Sequence, residues 1–368
     1  MKDFYSFDEY SIPMWIKTLF WSLYMVIFVY AVWKTQILRP KYKRHVEVSN
    51  LLVLFFIAFV VFYCINPDYF RYRAWLYGLD FTYWNKEVVY VDIILICRSL
   101  PVTYPYEVFR LIVWGGAVLL AYHTFRMYKE MALPGLVFLF LFVFHSSTFS
   151  YARASLAMAV YFFGISVHLC LKDPSLRIWG IIAAIFSFFL HREMLVGIAV
   201  LPCILIPFER KHMTRLSIIW LIIAVATITY FKSNFQIFDA MFDNDDISSK
   251  IESYNETAQG SFRLSTLVNY LKYFFPFYVI TKCILKSPPP MPILGMYRIT
   301  YAVIMSSAAF MIVFGLRSVY TYRVLYITMI PLTLLVGYCY CNGYFTKKQI
   351  LILFILALLS NSTRFINA

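Results

Sequence analysis

Apolar runs of helix length, each closed by a short polar connection, recur along the whole chain and leave it little choice of fold. They lie near Ile12–Trp33, Leu51–Ile65, Phe109–Phe125, Ala132–Phe144, Ala152–Leu171, Arg177–Leu190, Met194–Pro207, Leu216–Phe231, Leu264–Leu285, Tyr297–Leu316, Val324–Tyr340 and Ile350–Leu359. Hydrophobic residues make up 61% of the sequence and charged residues 14%. A chain so composed is an all-α, polytopic integral membrane protein of about twelve spans, a single transmembrane domain over residues 1–368 with no soluble domain left over. Several runs fall short of the ~20 residues of a straight span, which makes their boundaries soft and leaves room for a re-entrant pair.

Basic residues gather in alternate connections: Arg39, Lys41, Lys43 and Arg44; Arg126 and Lys129; Lys172 and Arg177; Arg210, Lys211 and Arg215; Lys282, Lys286 and Arg298; Lys347 and Lys348. Cytoplasmic loops of membrane proteins carry such an excess. Both termini then face outward, and Asp68, Arg71, Arg153, His191, Lys250, Arg317 and Arg323 come to the extracytoplasmic side. The net charge of +14 is accounted for by orientation first and anion handling second, and nucleic acid is not an expected partner. The seven cysteines show no CxxC or Cys/His ligand spacing, which implies neither zinc nor a disulfide framework. The N-terminal MKDFYSFDEYSIP is acidic and aromatic rather than basic, so the first helix is expected to be retained.

Two outward connections are longer than the rest. Residues 66–107 are dense in Tyr, Trp and Arg, with Asp68 and Asp80 among them. Aromatic belts at a membrane surface account for such residues; so does a sugar platform, because aromatic faces stack on pyranose rings while Asp and Arg bind hydroxyls and phosphates. Residues 232–263 are polar and acidic and suggest a short amphipathic helix followed by a turn.

The stretch from Ser150 to Pro207 holds three apolar runs punctuated by Arg153, a KDPSLR turn and His191-Arg192-Glu193. A hairpin about that turn puts Arg153 and His191 on the same side of the membrane. Arg71, Arg73, Arg317 and Arg323 join Arg153 and Arg192 on that face. Guanidinium forks suit phosphate oxygens, so this face is a plausible dock for a pyrophosphate head group, although snorkelling explains part of the set. A Gly-rich phosphate loop, HExxH, GxSxG and a usable DxD are all absent from the sequence, which argues against ATP-driven or nucleotide-sugar chemistry. His145 and His191 are the two histidines near the outer face. His191 is the better candidate base, since Arg192 and Glu193 adjoin it and pull its proton affinity in opposite directions.

Arg153-xx-Leu156-Ala157 opening one span, with Phe188-xx-His191 closing the next, resembles the EpsG and Wzy-like polysaccharide polymerases. Asp68-Tyr69 with Tyr72, Lys250-Ile251-xx-Tyr254, and Arg317 with Arg323 extend the resemblance over most of the chain. Two departures stand out. His191 is followed by Arg192-Glu193 where the family more often has a small residue, and Tyr151 replaces the usual polar residue before Arg153. The resemblance implies a GT-C-like, metal-independent glycosyltransferase of the bacterial inner membrane, related to the O-antigen ligases and working without a cofactor. Such an enzyme joins undecaprenyl-diphosphate-linked repeat units by inverting displacement. It implies His191 and Arg153 as catalytic residues, Arg153, Arg317, Arg323 and Arg71 on the diphosphate, and Asp68, Tyr69, Tyr72 and Tyr254 on glycan. It also implies lipid-linked glycans, membrane lipids, a flippase and a chain-length regulator as partners.

Two other classes are less consistent with the residues. A flippase or transporter would place polar residues along a mid-membrane path and often show internal repeats, and neither stands out. A membrane O-acyltransferase using cytosolic acyl-CoA would gather its His and Arg on the opposite face.

Overall fold

The computed structural model describes residues 45–62, 88–128, 131–142, 152–205, 210–233, 264–315 and 319–367, together with 19, 22, 23, 26, 72, 75 and 76. Every regular element among them is helical. In chain order they are α1 (His45–Phe62), α2 (Val88–Ser99), α3 (Pro105–Met127), α4 (Ala132–Phe142), α5 (Ala152–Cys170), α6 (Pro174–Leu190) and α7 (Met194–Ala199). A 3-10 turn, Leu201–Leu205, follows α7, and then come α8 (Arg210–Ser233), α9 (Leu264–Lys286), α10 (Met291–Phe314), α11 (Val319–Ile327), α12 (Met329–Cys341) and α13 (Lys347–Asn367).

Helices apolar on every side belong in the middle of such a bundle. All eleven residues of α4 are buried, as are nearly all of α12. The two pack through Pro134 against Gly337, where a Cβ would lie 3.1 Å from the proline ring, and through the edge of Phe138 on Tyr340 at 5.5 Å. α6 and α8 instead leave Ile178, Trp179, Ile182, Phe189, Ile218 and Ile222 exposed, the composition of faces turned to lipid. Among the described residues, α3 and α10 are long and apolar enough to cross a bilayer unaided, and seven apolar helices of 10–17 residues accompany them.

Two sequence expectations are corrected here. Residues 66–107 are not all connection. Tyr90, Ile94 and Cys97 fall on one buried stripe, Asp92 and Arg98 on the exposed side, and this helical period folds Val88–Ser99 into α2. The run that begins at Met194 is not one regular α-helix. Pro202 cannot donate to the carbonyl of Ile198, so the helix stops at Ala199 and continues as a 3-10 turn. Arg298 of α10 donates from Nη1 to the carbonyl of Ile204 at 2.7 Å and ties the 3-10 turn to α10.

Prolines also shape the C-terminal half. Pro331 leaves the carbonyl of Ile327 without its helical donor, and the chain turns at Thr328 between α11 and α12. Pro276 does the same to the carbonyl of Lys272 inside α9.

The expected hairpin about KDPSLR is present. Asp173 caps α6 by accepting the Ser175 N–H at 2.8 Å, with Pro174 preset in the first turn. Among the described elements, α5 and α6 pack most extensively. They touch at Gly164 and Gly180, where a Cβ on either glycine would collide with the carbonyl oxygen of the other. Small residues at that crossing let the backbones meet, which is how helices associate where no hydrophobic gradient drives them.

Candidate active site

At the far end of the hairpin the chain reverses over three residues. His191 leaves the helix in an extended conformation (φ −158°, ψ 122°), its N–H still donating to Ser187 at 3.0 Å. Its carbonyl accepts from Met194 at 3.0 Å and that of Arg192 from Leu195 at 3.0 Å, so α7 starts at once. Leu190 and Met194 are buried on either side and pin the turn. Tyr161 of α5 donates its hydroxyl to the Gly197 carbonyl, tying α7 back to the hairpin. The three polar side chains are thereby left partly exposed on a rigid frame.

Glu193 links His191 to a guanidinium from another helix. Its Oε2 lies 3.2 Å from Nε2 of His191 and its Oε1 lies 2.5 Å from Nη1 of Arg323, on α11. The side chains are 15% exposed for His191, 25% for Glu193 and 37% for Arg323, a gradient opening toward the arginine. Burial by itself would raise the Glu193 carboxyl. The charge of His191, and next that of Arg323, outweigh burial and hold it at about 2, below its ordinary 4.5. The carboxylate therefore stays ionised. In neutral His191 the hydrogen on Nε2 points at Glu193, which makes Nδ1 the ring's acceptor. A carboxylate that fixes the tautomer of a partly exposed imidazole is the arrangement a general base needs.

Arg153 stands in the first turn of α5. It precedes Gly164 by eleven residues, and His191 follows Gly180 by eleven. With ~1.5 Å of rise per residue, both lie about 16 Å beyond the glycine contact, so the antiparallel hairpin brings them to the same level. Arg71, Arg317, Asp68, Tyr69 and Tyr254, with His145 and Lys250, lie outside the described residues. Tyr72 is 1% exposed and packs against Trp75 at 5.4 Å and Phe109 at 5.2 Å. Its ring faces are occupied by the core and do not form a surface on which sugar can stack.

Two residues were not picked out from the sequence as members of a site. Glu193 was legible only as a neighbour of His191; its bridge to Arg323 is a tertiary contact. Lys272 lies in the apolar run of α9 with 4% exposure, its Nζ 5.5 Å from the Tyr273 ring. Tyr273 faces Tyr326 at 6.4 Å, and Tyr326 follows Arg323 by one helical turn. The available signal was a lysine in the middle of an apolar run, ten residues before the next lysine and with proline four residues on. Among the described residues no group of three or more His, Cys, Asp or Glu side chains is gathered as a metal site.

The model of the EpsG family matches residues 48–366, a stretch that includes the hairpin, the 191–193 turn and Arg323. The chain belongs to the EpsG family. EpsG membership agrees with the apolar helices in making this a membrane protein, and it points to a glycosyltransferase-like polysaccharide polymerase. No curated protein and no solved structure matches the chain.

Proposed function

We propose that this EpsG-family protein polymerises undecaprenyl-diphosphate-linked oligosaccharide repeat units on the extracytoplasmic face of the bacterial inner membrane, with His191 as general base. The observation that carries the proposal is the His191–Glu193–Arg323 arrangement, a base and a guanidinium organised by one ionised carboxylate. In the reaction, Nδ1 of His191 takes the proton of the acceptor hydroxyl. The hydroxyl oxygen attacks the anomeric carbon of the donor glycan, the bond from that carbon to the diphosphate oxygen breaks, and the diphosphate leaves with the carrier lipid. Glu193 stabilises the imidazolium that forms.

The leaving diphosphate needs cations. Arg153 sits in the first turn of α5, where unpaired helix N–H groups already carry positive charge, so a cation there is misplaced unless an anion comes close. The diphosphate supplies that anion. Arg317, Arg323 and Arg71 are assigned to the same charge, and Lys272 of α9 is assigned to it as well. Asp68, Tyr69 and Tyr254 are assigned to glycan, and the buried Tyr72 to the packed core. The chemistry uses no metal and no cofactor in this proposal; partners are the lipid-linked glycans, membrane lipids, and flippase and chain-length regulator proteins. The bands of basic residues support an outward site, both termini outside and about twelve spans.

The test is reconstitution. Purified protein in lipid nanodiscs, given synthetic lipid-diphosphate repeat units, should produce a ladder of glycans still attached to the carrier. If no chain lengthens while the units are bound, or if the units only cross the membrane, the proposal fails.

A further inference from the structure

The end of the α5–α6 hairpin opposite His191 carries a groove of about 390 Å³ lined by His168, Pro174, Arg177, Ile178, Ile181 and Ile182. We propose that this groove is a binding site for an anionic phospholipid, the phosphate resting on Arg177 and His168 and an acyl chain lying along α6.

The polar end is built and has donors to spare. Arg177 donates from Nε to the His168 carbonyl at 3.1 Å, and Nδ1 of His168 lies 3.2 Å from the Arg177 carbonyl. This reciprocal pair holds both side chains at the mouth of the groove. The guanidinium's Nη1 and Nη2 and the imidazole's Nε2 meet no other partner among the described residues. Lys172 is exposed in the same turn. The one carboxylate of the turn, Asp173, has an oxygen engaged in capping Ser175. The balance at this corner is positive, which suits a phosphate and discriminates against a zwitterionic head group.

The apolar end has the dimensions of a lipid leaflet. From Ile178 and Ile182 in the groove, an exposed row continues up α6 through Ile185, Phe186 and Phe189. Eleven residues separate the first from the last, about 16 Å along the helix, against about 15 Å for half of a ~30 Å hydrocarbon core. Trp179, 65% exposed at the start of that row, has the amphipathic ring favoured at the head-group level. A cationic corner leading into an apolar row one leaflet long fits a phospholipid and not a soluble phosphate, which would leave the isoleucines uncovered. The site lies a full hairpin length from His191, and it stands whether or not the polymerase proposal does.

The experiment uses the full-length protein in nanodiscs and a photoactivatable phosphatidylglycerol, with adducts located by peptide mass spectrometry. Enrichment of adducts within residues 168–182 is expected. Unlabelled phosphatidylglycerol should compete at about five-fold lower concentration than phosphatidylcholine of the same chains, the advantage of roughly one well-placed cation. Arg177→Ala should erase that advantage. Raising the salt concentration should shrink it in the wild-type protein, a measurement that needs no variant. Equal competition by the two lipids, adducts spread without enrichment, or an unchanged preference in Arg177→Ala protein that still shows a native melting transition would each overturn the assignment.

Discussion

Glu193 gives one carboxylate oxygen to His191 and the other to Arg323, a residue 130 positions further along the chain. A base two residues from a carboxylate is a local accident of sequence. The same carboxylate held by a guanidinium from another helix is an organised site. Each partner restrains the others: without the carboxylate the imidazole loses the contact that fixes its tautomer, and the guanidinium loses its anchor.

Glu193→Gln keeps the shape and removes the charge. The imidazolium formed during the reaction would lose its counter-ion, and chain elongation should slow about 10²-fold, within the usual worth of general-base catalysis. Affinity for the lipid-linked donor should change far less. An elongation rate close to wild type would remove Glu193 from the mechanism.

Acid should dissolve this arrangement. The Glu193 carboxyl is depressed in the folded protein, so the stability it contributes is complete above its ordinary 4.5 and is lost as pH falls toward about 2. Thermal unfolding of wild type and Glu193→Gln, compared from pH 6 downward, should show a gap that narrows over that window. A gap independent of pH would mean that the carboxylate's charge contributes nothing to the fold.

The glycine contact sets the height of both helix mouths. Gly180→Ala puts a methyl group against the Gly164 carbonyl, where backbone and not a flexible side chain must yield, and overpacking of this kind costs about 1–3 kcal/mol. Elongation should fall with stability, although no reacting group is touched. Gly116→Ala is the control, since its added Cβ meets only Leu156 at 3.7 Å and alanine favours the helix by up to about 1 kcal/mol. Equal melting temperatures for the two variants would contradict the role given to the crossing.

Lys272 is a charge inside a span, where ionisable residues are retained for function or for pairing. Lys272→Met preserves length and bulk. Elongation should drop at least about ten-fold, with donor binding weakened and the protein still folded. Unaltered donor affinity would mean that the lysine serves α9 alone.

Much of the fold was legible because it follows from local rules. Apolar runs marked helices, and Asp173-Pro174 marked the hairpin turn through cap chemistry that needs no tertiary partner. What escaped depended on contacts between distant segments, or on period within a polar neighbourhood. The helix Val88–Ser99 hid inside an aromatic, charged stretch read as connection, and Pro202 ended a helix that hydropathy alone carried onward. At the site, His191 was visible from its place at a helix end. The bridge from Glu193 to Arg323 was not, because nothing in either local sequence names the other. Tyr72 went the opposite way: its motif suggested glycan, while its burial assigns its ring to the core.

His191 is the most direct point of attack. His191→Gln retains a hydrogen-bonding side chain at the turn but cannot take a proton near neutral pH. With purified protein in nanodiscs and synthetic lipid-diphosphate repeat units, the initial rate of elongation should fall by about 10²–10⁴-fold, while the melting temperature and donor affinity stay near wild type. Elongation by His191→Gln at the wild-type rate would contradict the assignment of His191 as the base.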